Sequence, residues 1–468
     1  MSLLGLAILL AVQTGEEPSA QRVGGGAPTQ ETVSAGALES RPPAHLASPL
    51  QVRVDAAGPG ETITIEPGTY AGDLVIDRPL KLVGQGRPLL LGSGTGSVVR
   101  IRAADVTLEG LDLDGRGGGD LGRDSSGVHV AAPRATIRDC RVSNALFGIY
   151  VRSAPGIVVE RCTIRGIPGK SPGEKGSGIH IWDTEGFRLV RNDIRDVRDG
   201  FYIQSSSKGT IAGNTARDLR YGLHYMFSDD NVFEDNLFEN GAAGAALMYS
   251  RRIVFRRNRF LRNRGFASVG LLLKTCDDVL AEDNLIADNA RGIFLEGSAR
   301  NAFRRNVVAG SDTAIVLYDS CSENRFEENS FVGNLTSLTL VGKRTDTRFE
   351  GNYWSDNVEP DLDGDGRSDR PYRLGSVFDH LRGNLMAADL MAQGFAASAL
   401  AAAEKSFPVL AAIPVEDPAP RVRPPALQDV PEPDARERHA SGWGLAASGI
   451  ALFFGLAVLA QARRREAP

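Results

Sequence analysis

Short β-branched runs cut by Gly and Pro begin near Leu50, as in Thr62 to Ile65, Leu74 to Ile76 and Leu80 to Val83, and read as brief strands joined by turns. From Gly127 onward the pattern acquires a register. Small residues open a strand at Gly127, Gly148, Gly178, Gly200, Gly222, Gly244, Gly270, Gly292, Ala314 and Ser337, mostly 22 residues apart, with two longer steps of 30 and 26 that carry insertions. A second series runs in phase: Cys140, Cys162, Asn192, Asn214, Asn236, Asn258, Asn284, Asn306, Asn329 and Asn352. Two markers sharing a period and its insertions predict an all-β solenoid, a parallel β-helix of about 22-residue rungs. A leucine-rich repeat has a similar period, but its Leu-x-x-Leu-x-Leu signature is absent. Rungs stacked about 4.8 Å apart put like over like, so the Asn series should form an amide ladder. Cys140 and Cys162, at adjacent ladder positions, suit either core thiols or a disulfide.

Strand alternation then assigns faces. One and three residues after each opening Gly stand pairs such as Val128/Val130, Ile149/Val151, Ile179/Ile181, Phe201/Ile203, Leu271/Leu273, Ile293/Leu295 and Ile315/Leu317, which should point into the lumen. The intervening row should point out. It reads His129, Tyr150, His180, Tyr202, His224, Ala246, Leu272, Phe294, Val316, Thr339, and its companion reads Ala131, Arg152, Trp182, Gln204, Met226, Met248, Lys274, Glu296, Tyr318, Val341.

The ends add flanking segments. Residues 1–21 read as a signal-like segment, 22–47 as a disordered linker, 48–355 as the β-helix, 356–407 as an acidic loop with an amphipathic helical cap, and 408–439 as a Pro-rich tether. Residues 440–462 carry no charge and are long enough to span a bilayer as a transmembrane helix. The basic tail 463–468 would stay in the cytoplasm, leaving the body outside and anchored to the inner membrane. The net charge of −5 argues nothing specific, no basic face for nucleic acid stands out, and 42% apolar content supplies a core without a disulfide framework.

His224, Met226 and Met248 form the sharpest chemical group. The first two lie two apart on one outward face and Met248 lies one rung on, a soft donor set suited to Cu(I). Met filling an apolar patch is the plainer reading. His129 and His180 share the row two rungs apart, about 9.6 Å, too far for one ion. With Tyr150, Trp182 and Tyr202 they outline a partner-docking face, although those three aromatics also suit covering the solenoid or stacking on sugars. Asp361, Asp363, Asp365 and Asp369 match the start of a calcium loop, with Tyr372 where Glu would complete it, and read equally well as a merely acidic turn. The traced outward rows carry one acid, Glu296, so no carboxylate pair for glycoside cleavage is visible there, and no catalytic residue is assigned.

The Gly-Ile-x-Ile coils, Gly222-Leu-His-Tyr-Met-Phe-Ser228, Gly351-Asn-Tyr-Trp-Ser-Asp356, the run Asp361 to Tyr372 and the closing Phe407-Pro-Val-Leu410 resemble the NosD family over roughly residues 48–412. The resemblance implies a right-handed β-helix and a periplasmic, non-enzymatic maturation factor for nitrous oxide reductase. The implied partners are an ABC transporter of NosF-like and NosY-like subunits, a NosL-like copper chaperone and the reductase itself. A carbohydrate-active or carbohydrate-binding β-helix, such as a uronate lyase or epimerase, is the alternative.

Overall fold

In the computed structural model the described residues are 48–119, 121–265, 267–374 and 415–424. Each coil but the last contributes three short strands, the last contributes two, and like strands stack into three parallel sheets of 13, 13 and 12 strands. The first sheet runs from Glu61–Ile65 to Arg348–Glu350, the second from Thr69–Ala71 to Tyr353–Trp354, and the third from Leu74–Ile76 to Thr336–Val341. The expected parallel solenoid is therefore present, at about 13 turns.

The two markers acquire physical roles. At Gly222 an added Cβ would fall 2.6 Å from the carbonyl oxygen of Gly244 and 2.7 Å from the Phe238 ring, so the rungs approach too closely for a side chain. From Asn192 to Asn329 each side-chain amide donates to the Oδ1 of the Asn one rung on, at 2.9–3.1 Å. It also donates to a carbonyl such as Val159 O or Leu189 O at 3.0 and 2.9 Å. The residue before each ladder position turns the corner in the left-handed region, with φ between 50° and 56° at Asp139, Arg161, Arg191, Asp235, Arg257, Asp283, Arg305 and Glu328. Such backbone costs about 1–2 kcal/mol per non-Gly residue. The ladder bonds, at about 0.5–1.5 kcal/mol each, offset that cost, while Gly213 and Gly351 avoid it.

All the lumen pairs named from the sequence are 0% exposed. Inside, Phe233 stacks on Phe255 at 4.8 Å and Phe303 on Phe326 at 4.5 Å, extending the like-over-like rule to the core. Cys140 and Cys162 are buried free thiols.

Both ends depart from the sequence reading. Residues 49–56, expected to open the β-helix, form helix α1 (Pro49–Ala56), capped by the Ser48 side chain, which accepts from Gln51 N at 3.1 Å. Leu50 and Val54 cover the first coil. Gln51 donates to Val75 O at 2.9 Å and accepts from Val75 N at 2.8 Å, blocking the open edge of the third sheet. At the other end, residues 415–424 were expected in an extended tether. Instead Val415–Asp417 pairs antiparallel with Tyr372–Leu374. Asp417, 0% exposed, takes the place of the next Asn: its carboxylate accepts from Asn352 N and Nδ2, both at 2.9 Å, from Gly351 N at 3.0 Å and from Trp354 Nε1 at 3.2 Å. The last rung leaves donors that need an acceptor, and a docked carboxylate supplies it.

Among the described residues no helix is long and apolar enough to cross a membrane. The signal-like segment 1–21, the linker 22–47, the amphipathic helix over 380–407, the span at 440–462 and the tail 463–468 lie outside the described residues.

Candidate metal-binding face

The third sheet holds the outward row in the expected register. Tyr150 pairs with His129 and His180, His180 with Tyr202, Tyr202 with His224, and His224 with Ala246. Stacking at the rung spacing turns this row into a column of rings. Centroids lie 5.4 Å apart for His129 and Tyr150, 4.5 Å for Tyr150 and His180, and 4.4 Å for His180 and Tyr202, with interplanar angles of 11°, 18° and 15°.

The docking face outlined from the sequence is only partly accessible. Tyr150 and His180 are 1% and 9% exposed, because Leu146, Phe147 and Ile167 pack on Tyr150, and Phe147 also meets the His180 ring edge-on at 5.5 Å. Ile167 belongs to the insertion that lengthens this rung. His129 and Tyr202 are half-buried, and Trp182 is exposed, with the Arg152 guanidinium 5.0 Å over its ring. Burial pushes the Tyr150 phenol up and the His180 imidazole down to about 3, the nearby Arg198 charge adding to the latter and Asp199 opposing it. Neither His180 nitrogen has a hydrogen-bond partner among the described residues.

The column changes character at His224. Its ring stands at 84° to Tyr202, 4.8 Å away, and at 83° to Tyr221, 5.3 Å away. The next rung places Ala246 there, so no further ring stacks on it. His224 Nδ1 instead faces Asp199 Oδ2 at 3.4 Å. Asp199 is 0% exposed and takes a two-point bond from Arg220, Nε to Oδ1 at 2.9 Å and Nη2 to Oδ2 at 2.7 Å, with Arg198 Nε 3.4 Å off. Burial alone would raise this carboxyl; the hydrogen bonds from His224 and Arg220 outweigh it and hold the group at about 2. Arg220 also lies 4.4 Å over the Tyr221 ring.

Strand Tyr221–Met226 presents His224 and Met226 on the same side, and Met226 is in register with Met248. Both methionines are half-buried. One rung further, Lys274 pairs with Met248 and its Nζ binds Glu296 Oε1 at 3.2 Å, closing the thioether pair with an ion pair. On the other flank Phe227 and Tyr249 stack at 5.0 Å and 8°, 54% and 46% exposed. The three predicted donors thus occupy adjacent positions of one face. Asp199 was missed by the sequence reading, although its corner column reads Phe147, Ser177, Asp199, Tyr221, Ala243, Val269, and a carboxylate in that series is the outlier.

The acidic turn converges in part. Ligand oxygens of Asp361, Asp363 and Asp365 lie within 4.8 Å of one another. Asp361 also accepts from Gly364 N at 2.7 Å and Gly366 N at 2.9 Å. Asp369 stands outside that group, its Oδ2 accepting from Leu362 N. Tyr372 is turned away: its hydroxyl meets Asp356 at 2.9 Å and its ring stacks on Trp354 at 4.9 Å.

Fold and face together define a parallel β-solenoid that carries two methionines in register and a histidine on the same side of one outer sheet. Residues 166–359, which contain that set, match the family described as "Periplasmic copper-binding protein (NosD)". The chain is 33% identical over 135 residues to the "Probable ABC transporter binding protein NosD" of Stutzerimonas stutzeri, covering 28% of this chain and 31% of the relative. It is 31% identical over 152 residues to the protein of the same name from Pseudomonas aeruginosa, covering 32% and 35%. The aligned part thus spans about a third of those relatives' length. A variant of the periplasmic alginate epimerase AlgG is similar at 12% identity and a TM-score of 0.47, over 64% of this chain and 86% of that one. The family and sequence matches support a NosD-family assignment.

Proposed function

We propose that the chain is the extracytoplasmic β-solenoid subunit of a copper-supplying system that matures nitrous oxide reductase. In this reading it works beside a NosF-like and NosY-like ABC transporter and a NosL-like chaperone, and residues 440–462 anchor it to the inner membrane. The observation that carries it is the in-register pair Met226 and Met248 beside His224, inside the segment that matches a copper-binding family. Two thioethers and a neutral imidazole fit a soft monovalent ion and suit Mg or Ca poorly. Here copper is cargo. His224, Met226 and Met248 would hold it as Cu(I), and Trp182, Tyr202 and His129 line the accessible part of the face that would receive a partner. No catalytic role is assigned to the chain.

The test is competition of the purified full chain against a chromogenic Cu(I) chelator. Met226→Ala with Met248→Ala is expected to weaken Cu(I) binding at least tenfold, equivalent to about 1.4 kcal/mol. An unchanged titration sinks the assignment.

The turn of Asp361, Asp363 and Asp365 is, in the same reading, a weak calcium position, with Asp369 as a further carboxylate. Millimolar calcium should raise the thermal midpoint of the wild type, and Asp363→Asn with Asp365→Asn should abolish the increment. A calcium response that survives in the double variant rules this turn out.

A further inference from the structure

We propose that Asp199 is the positioning residue of the donor set: its buried carboxylate holds the Nδ1–H of His224, so that the ring offers Nε2 as its free acceptor on the face shared with Met226 and Met248. This rests on the copper reading of that face. Three observations carry it. First, Asp199 Oδ2 is the only hydrogen-bond partner of His224 among the described residues, at 3.4 Å from Nδ1. Second, the ring gives up the parallel stack that every earlier pair in the column keeps within 18°, and stands at 84° to Tyr202 with Tyr221 edge-on from the other side. Third, Asp199 cannot swing away, because it is 0% exposed and clamped through both oxygens by Arg220, itself held over Tyr221.

The chemistry follows from the two ring nitrogens. A neutral imidazole carries one N–H, and a carboxylate accepts but cannot donate, so a carboxylate at Nδ1 selects the tautomer with its lone pair on Nε2. A ligand so oriented loses little freedom on binding and is a better donor; removing such a partner costs about 10- to 100-fold in metal affinity. The same column position holds Phe147, Ser177, Ala243 or Val269 on other rungs, so packing of the corner does not require a carboxylate.

Selective ¹⁵N-histidine labelling of the metal-free full chain reads the tautomer directly, with the His224 signal assigned by its loss in His224→Ala. The expected result is a wild-type His224 protonated on Nδ1, and Cu(I) binding weakened about 10- to 100-fold in Asp199→Asn. A proton on Nε2 in the wild type, or an Asp199→Asn affinity within about twofold of wild type, overturns the assignment. Should Asp199→Asn fail to fold with Arg220 left unpaired, the wild-type tautomer decides alone. Undiminished Cu(I) binding by Met226→Ala with Met248→Ala would mark failure of the copper reading instead, a result carried by different residues.

Discussion

Asp417→Ala is expected to lower the unfolding free energy by about 3–5 kcal/mol, read as a shift of the urea midpoint with little change in slope. The carboxylate satisfies the main-chain N–H of Gly351 and Asn352, the Asn352 amide and the Trp354 indole, and it also accepts from Ala419 N at 3.3 Å. Deleting it strands these donors at a buried rung end, where each unsatisfied group costs about 1–3 kcal/mol before relaxation and water entry recover part. Asp417→Asn should lose less. An Asn Oδ1 can still receive the Asn352 amide, as the next Asn does for each ladder amide from Asn192 to Asn329, but its NH₂ then meets the Gly351 N–H. A midpoint for Asp417→Ala equal to wild type would show that the strand Val415–Asp417 does not close the solenoid in solution.

His180 should make the protein acid-sensitive. Its folded-state value is depressed to about 3, chiefly by burial and then by Arg198, against about 6.5 in an unfolded chain. Between those limits the unfolded state binds a proton that the folded state does not. Stability from this group is therefore complete above pH 6.5 and is lost as pH falls toward 3. At about 1.4 kcal/mol per unit, the full loss is on the order of 4–5 kcal/mol. His180→Phe keeps a ring between Tyr150 and Tyr202 and removes the titration, so its stability should fall less steeply between pH 6.5 and 4 than that of the wild type. Parallel profiles for the two proteins would mean that protonation reaches His180 without unfolding the coil around it.

Much of the candidate face was legible because a solenoid repeats its environment. Once Gly222 and Gly244 are aligned, Met226 must meet Met248 and His224 must follow Tyr202, and the strand pairings hold these partners. Asp199 was not legible in the same way. Its contact with His224 crosses from a corner to the next rung, outside the alternation that sorted residues into lumen and outer face. Asp417 was hidden by distance, since it joins the Asn ladder from 65 residues beyond Asn352 and sits among prolines that read as a tether.

The buried docking residues teach a related point. Alternation correctly put Tyr150 and His180 on the outside of the sheet, yet outside a sheet is not the same as in solvent. The rung insertion brings Ile167 against Tyr150, and Phe147 reaches the His180 ring from the corner. Exposure was therefore decided by segments whose path the period does not describe.

By itself the sequence determined the architecture, the register and the chemical type of each row, because stacking at one fixed spacing makes every rung inherit the geometry of its neighbour. Tertiary structure alone decided which outward side chains stay accessible, which carboxylate turns His224, and how the two ends are closed. Those depend on contacts between unlike positions, at corners, insertions and chain ends, where no neighbouring rung supplies the rule.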